Sequence, residues 1–190
     1  MHLLKTFPTL ALFLALAAIL PAHAQVAPSA FRDTKSLWIG AEYSNFHASF
    51  PYQSDQRLQG IGGFADFNLN RFLGFEANTR YLRFGGFQSS TESTLLAGPR
   101  FFFFPKGRFQ PYTNLLVGQA TIHYPFTIGD ATYLALAPSA GTNFHITHRW
   151  AIRVDYEYQW WLNSPGYPNQ PQHPLTPNGV HVGITYRLLP

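Results

Sequence analysis

Cysteine is absent from all 190 residues. Disulfide scaffolds, thiol catalysis and thiolate zinc sites are therefore excluded. Charge is scarce: Asp, Glu, Lys and Arg make up 12% of the chain, half the usual figure of about 25%. Intrinsic disorder needs the opposite mix, high charge with few aromatics, whereas aromatics here reach 17%. The 13 Lys and Arg form no run, so no basic stripe tracks a nucleic-acid backbone. Phosphate-binding glycine motifs are missing too, since Gly60-Ile-Gly-Gly63 lies in a strand pattern with no helix after it. With 15 Gly and 15 Pro, long helices are disfavoured. Beyond residue 24 no long apolar run exists. The rest of the chain is then water-soluble or crosses a membrane as a closed β-barrel.

Residues 1–24 read as a cleaved secretory signal. Lys5 supplies the early positive charge, an apolar stretch covers Leu10 to Leu20, and Pro21-Ala22-His23-Ala24 forms a small-x-small site before Gln25. The apolar stretch is about half of the ~20 residues a spanning helix requires. Residues 25–190 are expected to form one domain.

That domain alternates with period two, the signature of strands whose side chains point to opposite faces. Trp150, Ile152, Val154, Tyr156, Tyr158 and Trp160 share one parity; Ala151, Arg153, Asp155, Glu157 and Gln159 share the other. Val180 to Leu188 alternates in the same way against Gly179, His181, Gly183, Thr185 and Arg187. Weaker alternation marks six further strands, near 37–46, 58–69, 72–84, 92–104, 109–124 and 132–146. Connections at Asn70-Arg71, Pro105–Arg108 and Thr147-His148 are short. Those at 47–57, 85–91, 125–131 and 163–177 are longer, and the last holds five prolines and reads as irregular. Eight strands with alternating short and long connections describe an all-β, antiparallel up-and-down barrel. In outer-membrane barrels the short turns are periplasmic.

A water-soluble barrel would hide its large apolar side chains inside. Here one face carries Trp, Ile, Val, Tyr, Phe and Leu on every strand, too much for an eight-stranded interior. The aromatic face must point outward, which only lipid tolerates. Trp150 and Trp160 lie ten residues apart on that face. Ten residues are about 34 Å of strand, or roughly 25 Å of height after tilt, matching an apolar band between aromatic girdles. Tyr43, Tyr81, Trp150, Tyr158, Trp160 and Tyr186 are the expected girdle. The inner face then holds Glu42, Asp66, Glu76, Asp155 and Glu157 against Arg80, Arg100, Arg153 and Arg187. Charges in a narrow lumen are tolerated when paired, so a salt-bridge plug and no open channel are expected.

Four stretches resemble the OmpA/OmpX-like outer-membrane β-barrel domain family: Leu96-Ala97-Gly98-Pro99-Arg100, Pro111-Tyr112 through Gly118, Arg149 through Tyr156, and Gly179 through Arg187. The resemblance implies an eight-stranded barrel inserted by the barrel-assembly machinery, in contact with outer-membrane lipid and lipopolysaccharide, as a monomer. Such chains commonly end on an aromatic residue; here Leu188-Leu189-Pro190 follow Tyr186.

No cofactor, metal site or catalytic residue is assigned from the sequence. A lipid A hydrolase or acyltransferase would need a nucleophile–His pair on the outer wall, and no His-x-Ser pair falls on an outward strand face. His145 and His148 lie near a periplasmic turn, His181 faces inward, and His47, His123 and His173 lie at strand tops or in loops. The expectation is a non-enzymatic outer-membrane barrel with an envelope, adhesion or surface-contact role. A lipid-modifying enzyme and a small porin are the alternatives, and the proline-rich loop with Tyr167 and His173 is the best surface contact.

Overall fold

The computed structural model describes residues 35–50, 53–85, 90–103, 107–123, 130–162 and 175–189, with 49–50 and 53–56 in backbone only. Residues 1–24, most of the connections 85–91, 125–131 and 163–177, Tyr167 and His173 lie outside the described residues; of 47–57, read from sequence as a long connection, all but 51 and 52 are described and belong to strands. The strands are β1 (Ser36–Phe50), β2 (Gln53–Asn68), β3 (Leu73–Phe84), β4 (Thr91–Phe102), β5 (Phe109–His123), β6 (Asp130–His145), β7 (Trp150–Tyr158, resuming as Trp160–Leu162) and β8 (Asn178–Leu189). Each pairs antiparallel with the next, and β1 also pairs with β8, as in Ala41 opposite Ile184. The result is a closed eight-stranded antiparallel barrel. Closure leaves no unpaired sheet edge, the condition for strands in hydrocarbon.

Strand parity places the side chains. On β7 and β8 burial alternates residue by residue. Ile61 is 69% exposed and Leu95 is 64% exposed, which makes a wall of large apolar groups that water would not tolerate.

Side-chain caps close two short turns at one end. Asn70 Oδ1 accepts from the backbone N–H of Phe72 (2.8 Å) and Leu73 (2.9 Å). Thr147 Oγ1 accepts from Arg149 N (3.2 Å) and Trp150 N (3.0 Å). In the third connection Gly107 adopts φ +105°, a conformation that favours glycine.

Three prolines sit inside strands, Pro99, Pro111 and Pro138, and at Pro99 and Pro138 the missing N–H interrupts the ladder. Opposite Pro99 the β4–β5 pairing jumps from Ala97–Val117 to Arg100–Asn114. The break in β7 has the same cause. Its register with β6 runs from Ser139–Glu157 to Leu136–Trp160, which sets Tyr158 opposite Pro138. The backbone N–H of Gln159 points to the other side of the strand and donates to the Pro177 carbonyl at 2.8 Å. Trp161 N likewise donates to Leu175 O at 2.9 Å. Residues 175–177, read from sequence as irregular loop, therefore run ladder-bonded along β7.

The interior is also richer in aromatics than expected. Trp38, Phe46, Phe64, Phe102, Tyr112, Tyr133 and Trp161 are all buried. Gly40 makes room for one of them, because a Cβ there would lie 2.2 Å from Phe64 Cζ. Leu96, Leu116, Ile122, Tyr133 and Trp161 form one buried apolar cluster, and Phe46, Leu58 and Leu82 form another. Both lie toward the long-loop end.

The lipid-facing wall yields a direct test. Val182, 49% exposed, faces outward in mid-strand. Val182→Arg is expected to cost about 2–4 kcal/mol by urea unfolding in phospholipid vesicles, where a water-facing position would show almost no change.

Candidate functional site

The lumen ions fall into two connected groups. In the first, Arg80 of β3 reaches across the barrel. Its Nε donates to Glu42 Oε1 at 2.8 Å, and its two Nη atoms grip Glu157 at 2.7 and 2.5 Å. A two-point arginine–carboxylate contact adds geometric specificity to charge. Gly62 gives Arg80 its space, since a Cβ there would lie 2.7 Å from Arg80 Cγ. Gln159 Nε2 donates to Glu157 Oε1 at 2.7 Å, and Trp161 Nε1 donates to Gln159 Oε1 at 2.6 Å. His181 Nδ1 lies 2.8 Å from Ser44 Oγ and 3.6 Å from Glu42, and its Nε2 lies 3.7 Å from Asp155 and 3.8 Å from Glu157.

The second group centres on Arg100 and Arg153. Arg100 Nη1 donates to Asp66 Oδ2, and its guanidinium lies 3.6 Å over the Tyr112 ring. Arg153 Nη2 donates to Glu76 Oε2 at 2.5 Å and its Nε to Asp155 Oδ2 at 2.8 Å. The Tyr112 hydroxyl donates to the same Asp155 oxygen at 2.6 Å. Glu76 further accepts from Asn114 Nδ2 (2.7 Å) and Asn78 Nδ2 (3.1 Å). Both Glu76 oxygens thus have hydrogen-bond partners, which helps make buried charge tolerable, whereas Asp66 Oδ1 and Arg153 Nη1 meet only as an ion pair at 3.6 Å.

Eight of the nine residues read from sequence as lumen charges come together in these groups. Arg187 does not. It lies near the periplasmic rim, part-exposed, with its Nε donating to the Leu189 carbonyl at 3.2 Å and its guanidinium 5.8 Å from the Trp38 ring. Glu92, not singled out from sequence, takes an inward place: it is fully buried on β4 and its carboxylate makes no hydrogen bond to a described residue. Its even parity, shared with Thr94 and Arg100, was the available signal. Among the described residues, six buried carboxylates thus face three buried arginines, against the five and four expected.

The girdle residues Tyr43, Tyr81, Trp150, Tyr158, Trp160 and Tyr186 all lie on the outward parity. Trp150 packs against Tyr186 with centroids 4.8 Å apart, and Tyr158 against Trp160 at 5.2 Å. Tyr43, opposite Val182 and Ile61, sits in mid-strand and not at a membrane edge. Tyr156, overlooked in the girdle, donates its hydroxyl to Asn178 Oδ1 at 2.9 Å. Of the histidines, His145 contacts Gln110 Oε1 at 3.1 Å and His148 is exposed. Among the described residues no group of three or more His, Cys, Asp or Glu is placed to hold a metal ion.

The ion network has a measurable signature. Glu76→Gln or Arg153→Gln alone is expected to cost about 3–5 kcal/mol, the loss from breaking a buried pair. The double variant should cost less than the sum of the two in a double-mutant unfolding cycle.

No curated protein matches this sequence. Among solved structures, the Neisserial surface protein NspA is similar at 14% identity and TM-score 0.64, over 80% of this chain and 97% of NspA. Ail, the attachment invasion locus protein of Yersinia pestis, crystallised with the heparin analogue sucrose octasulfate, is similar at 18% identity and TM-score 0.58, over 81% of this chain and 99% of Ail. OprG of Pseudomonas aeruginosa matches at 12% identity and TM-score 0.50, over 84% of this chain and 98% of OprG. At such identities the likeness is one of fold. The family model of the outer membrane protein beta-barrel domain matches residues 10–187, and the chain belongs to that family of bacterial outer-membrane barrels.

Proposed function

We propose that this barrel is a non-conducting outer-membrane protein whose lumen is closed by its ion network. Its role in the envelope would then be carried by its outer surface and loops, through structure, adhesion or surface contact. The observation that carries this reading is the span of the network. Arg80 of β3 ties Glu42 of β1 to Glu157 of β7, and Arg153 of β7 ties Glu76 of β3 to Asp155. Opposite walls are thus joined across the axis at two sites. Ail, similar in fold, is by its name an attachment protein, which favours surface contact as the role. Export by the segment 1–24, insertion by the barrel-assembly machinery, contact with lipopolysaccharide and a monomeric state belong to the same reading.

Planar-bilayer recording tests the closed lumen. The wild-type protein is expected to give no steady conductance, and stable nanosiemens steps would replace a plug with a pore. Arg80→Ala, which removes the cross-barrel tie and the side chain filling the axis, should give small transient openings absent from the wild type.

A further inference from the structure

One cluster on the outer wall has no part in the lumen network. Ser93 Oγ lies 3.2 Å from His123 Nε2, and His123 Nδ1 lies 2.9 Å from Asp130 Oδ1. The three residues come from β4, β5 and β6 and meet through register: Ser93 stands opposite Thr121, and His123 stands between Thr91 and Asp130. All lie on the outward parity at the extracellular end, where 41% of the His123 side chain and 59% of the Asp130 side chain stay exposed.

The contacts suit one tautomer of a neutral imidazole. The Asp130 carboxylate only accepts, so in that tautomer Nδ1 carries the proton and donates to it, and the lone pair of Nε2 accepts from the Ser93 hydroxyl. A carboxylate that orients an imidazole, and an imidazole that accepts a serine proton, make up the arrangement that turns an alcohol into a nucleophile. Each imidazole nitrogen here lies within reach of the partner that chemistry requires.

The surroundings select the substrate. Below Ser93 on the same outward row of β4 come Leu95 and Ala97, both exposed to the lipid side. Beside it on β3, Tyr81 is directly opposite and the exposed Arg83 is the next outward residue toward the cell exterior. Such diagonal neighbours lie about 7–8 Å apart. Ser93 therefore stands at the boundary between acyl chain and headgroup, with a guanidinium on the headgroup side to receive a phosphate.

We propose that Ser93, His123 and Asp130 form an ester-hydrolase site acting on an acyl ester of a phosphate-bearing outer-leaflet lipid. Ser93 Oγ attacks the ester carbonyl carbon while its proton passes to His123 Nε2. The bond from the carbonyl carbon to the lipid alcohol oxygen breaks, and that oxygen takes the proton from Nε2. Water then gives a proton to Nε2 and attacks the acyl-serine carbonyl. The carbon–Oγ bond breaks, Oγ recovers the proton, and the fatty acid leaves. Ester and water become acid and alcohol, with no other reactant. Arg83 serves as the headgroup contact and takes no part in bond making.

Protein purified from outer membranes in mild detergent is offered lipid A in one arm and phosphatidylethanolamine in the other, and released fatty acid is read by mass spectrometry. Release is expected in at least one arm, and the arm that turns over identifies the lipid. Ser93→Ala and His123→Gln should each lower it about 1,000-fold, and Arg83→Gln should raise KM with kcat retained. A fluorophosphonate should label Ser93 in the wild type and not in His123→Gln. Heat-modifiable gel mobility verifies that each variant folds. No fatty acid from either lipid, an unlabelled Ser93, or release that persists in Ser93→Ala overturns the proposal; none of these bears on whether the lumen is closed.

Discussion

A peptide group that enters hydrocarbon must find its hydrogen-bond partner within the protein. The pairing of β1 with β8 meets that demand, and the remaining features follow from it. Once the sheet is closed, alternate residues have only two destinations, lipid or lumen. Large apolar side chains such as Ile61 and Leu95 go to the first, and nearly all carboxylates with described side chains go to the second. Pro99 and Pro138 each interrupt one stretch of ladder, but the neighbouring pairs hold register on both sides and the barrel absorbs the gaps.

Charge confined to a narrow lumen has little water to solvate it, so its stability depends on partners. The arginines meet this by spreading contacts: Arg153 serves Glu76 and Asp155 while stacking 4.2 Å over Phe64. The glycines beside them serve as space. Without Gly62 the Arg80 stem would have to move, and without Gly40 the Phe64 ring would. The extracellular half of the lumen is filled differently, by Leu82, Leu96, Ile122 and Trp161. Glu92 is buried there, at the border between the apolar filling and the ions.

Strand parity was legible in the sequence because it depends only on neighbours along the chain. It placed Arg80, Arg100 and Arg153 inward and Trp150 and Trp160 outward without knowledge of register. Which charges meet was not legible, since Arg80 and Glu157 are 77 residues apart and only the ladder brings them level. Arg187 shows the limit of parity: it has the inward phase, but its strand has reached the rim at that point. Trp161 was obscured for a related reason. A large aromatic on a polar parity is unexpected until Gln159 and the Leu175 backbone are seen beside it. The wall cluster was hidden more completely. A scan for His and Ser two apart on one strand passes over Ser93 and His123, which belong to neighbouring strands.

The inner and outer faces are not independent, because one register serves both. On β4 the inward residues Glu92, Thr94, Leu96 and Arg100 alternate with the outward residues Thr91, Ser93, Leu95 and Phe101. A slip of one residue would exchange these sets. Arg100 would then leave Asp66 for hydrocarbon, and Ser93 would leave His123 for the lumen. The first change is far the costlier, since a lone arginine on the lipid face has neither water nor a partner. The buried ion pairs thus hold β4 in the register that sets Ser93 beside His123. A polar network that contributes little net stability over an apolar core can in this way determine the geometry of a site on the opposite face of the same strand.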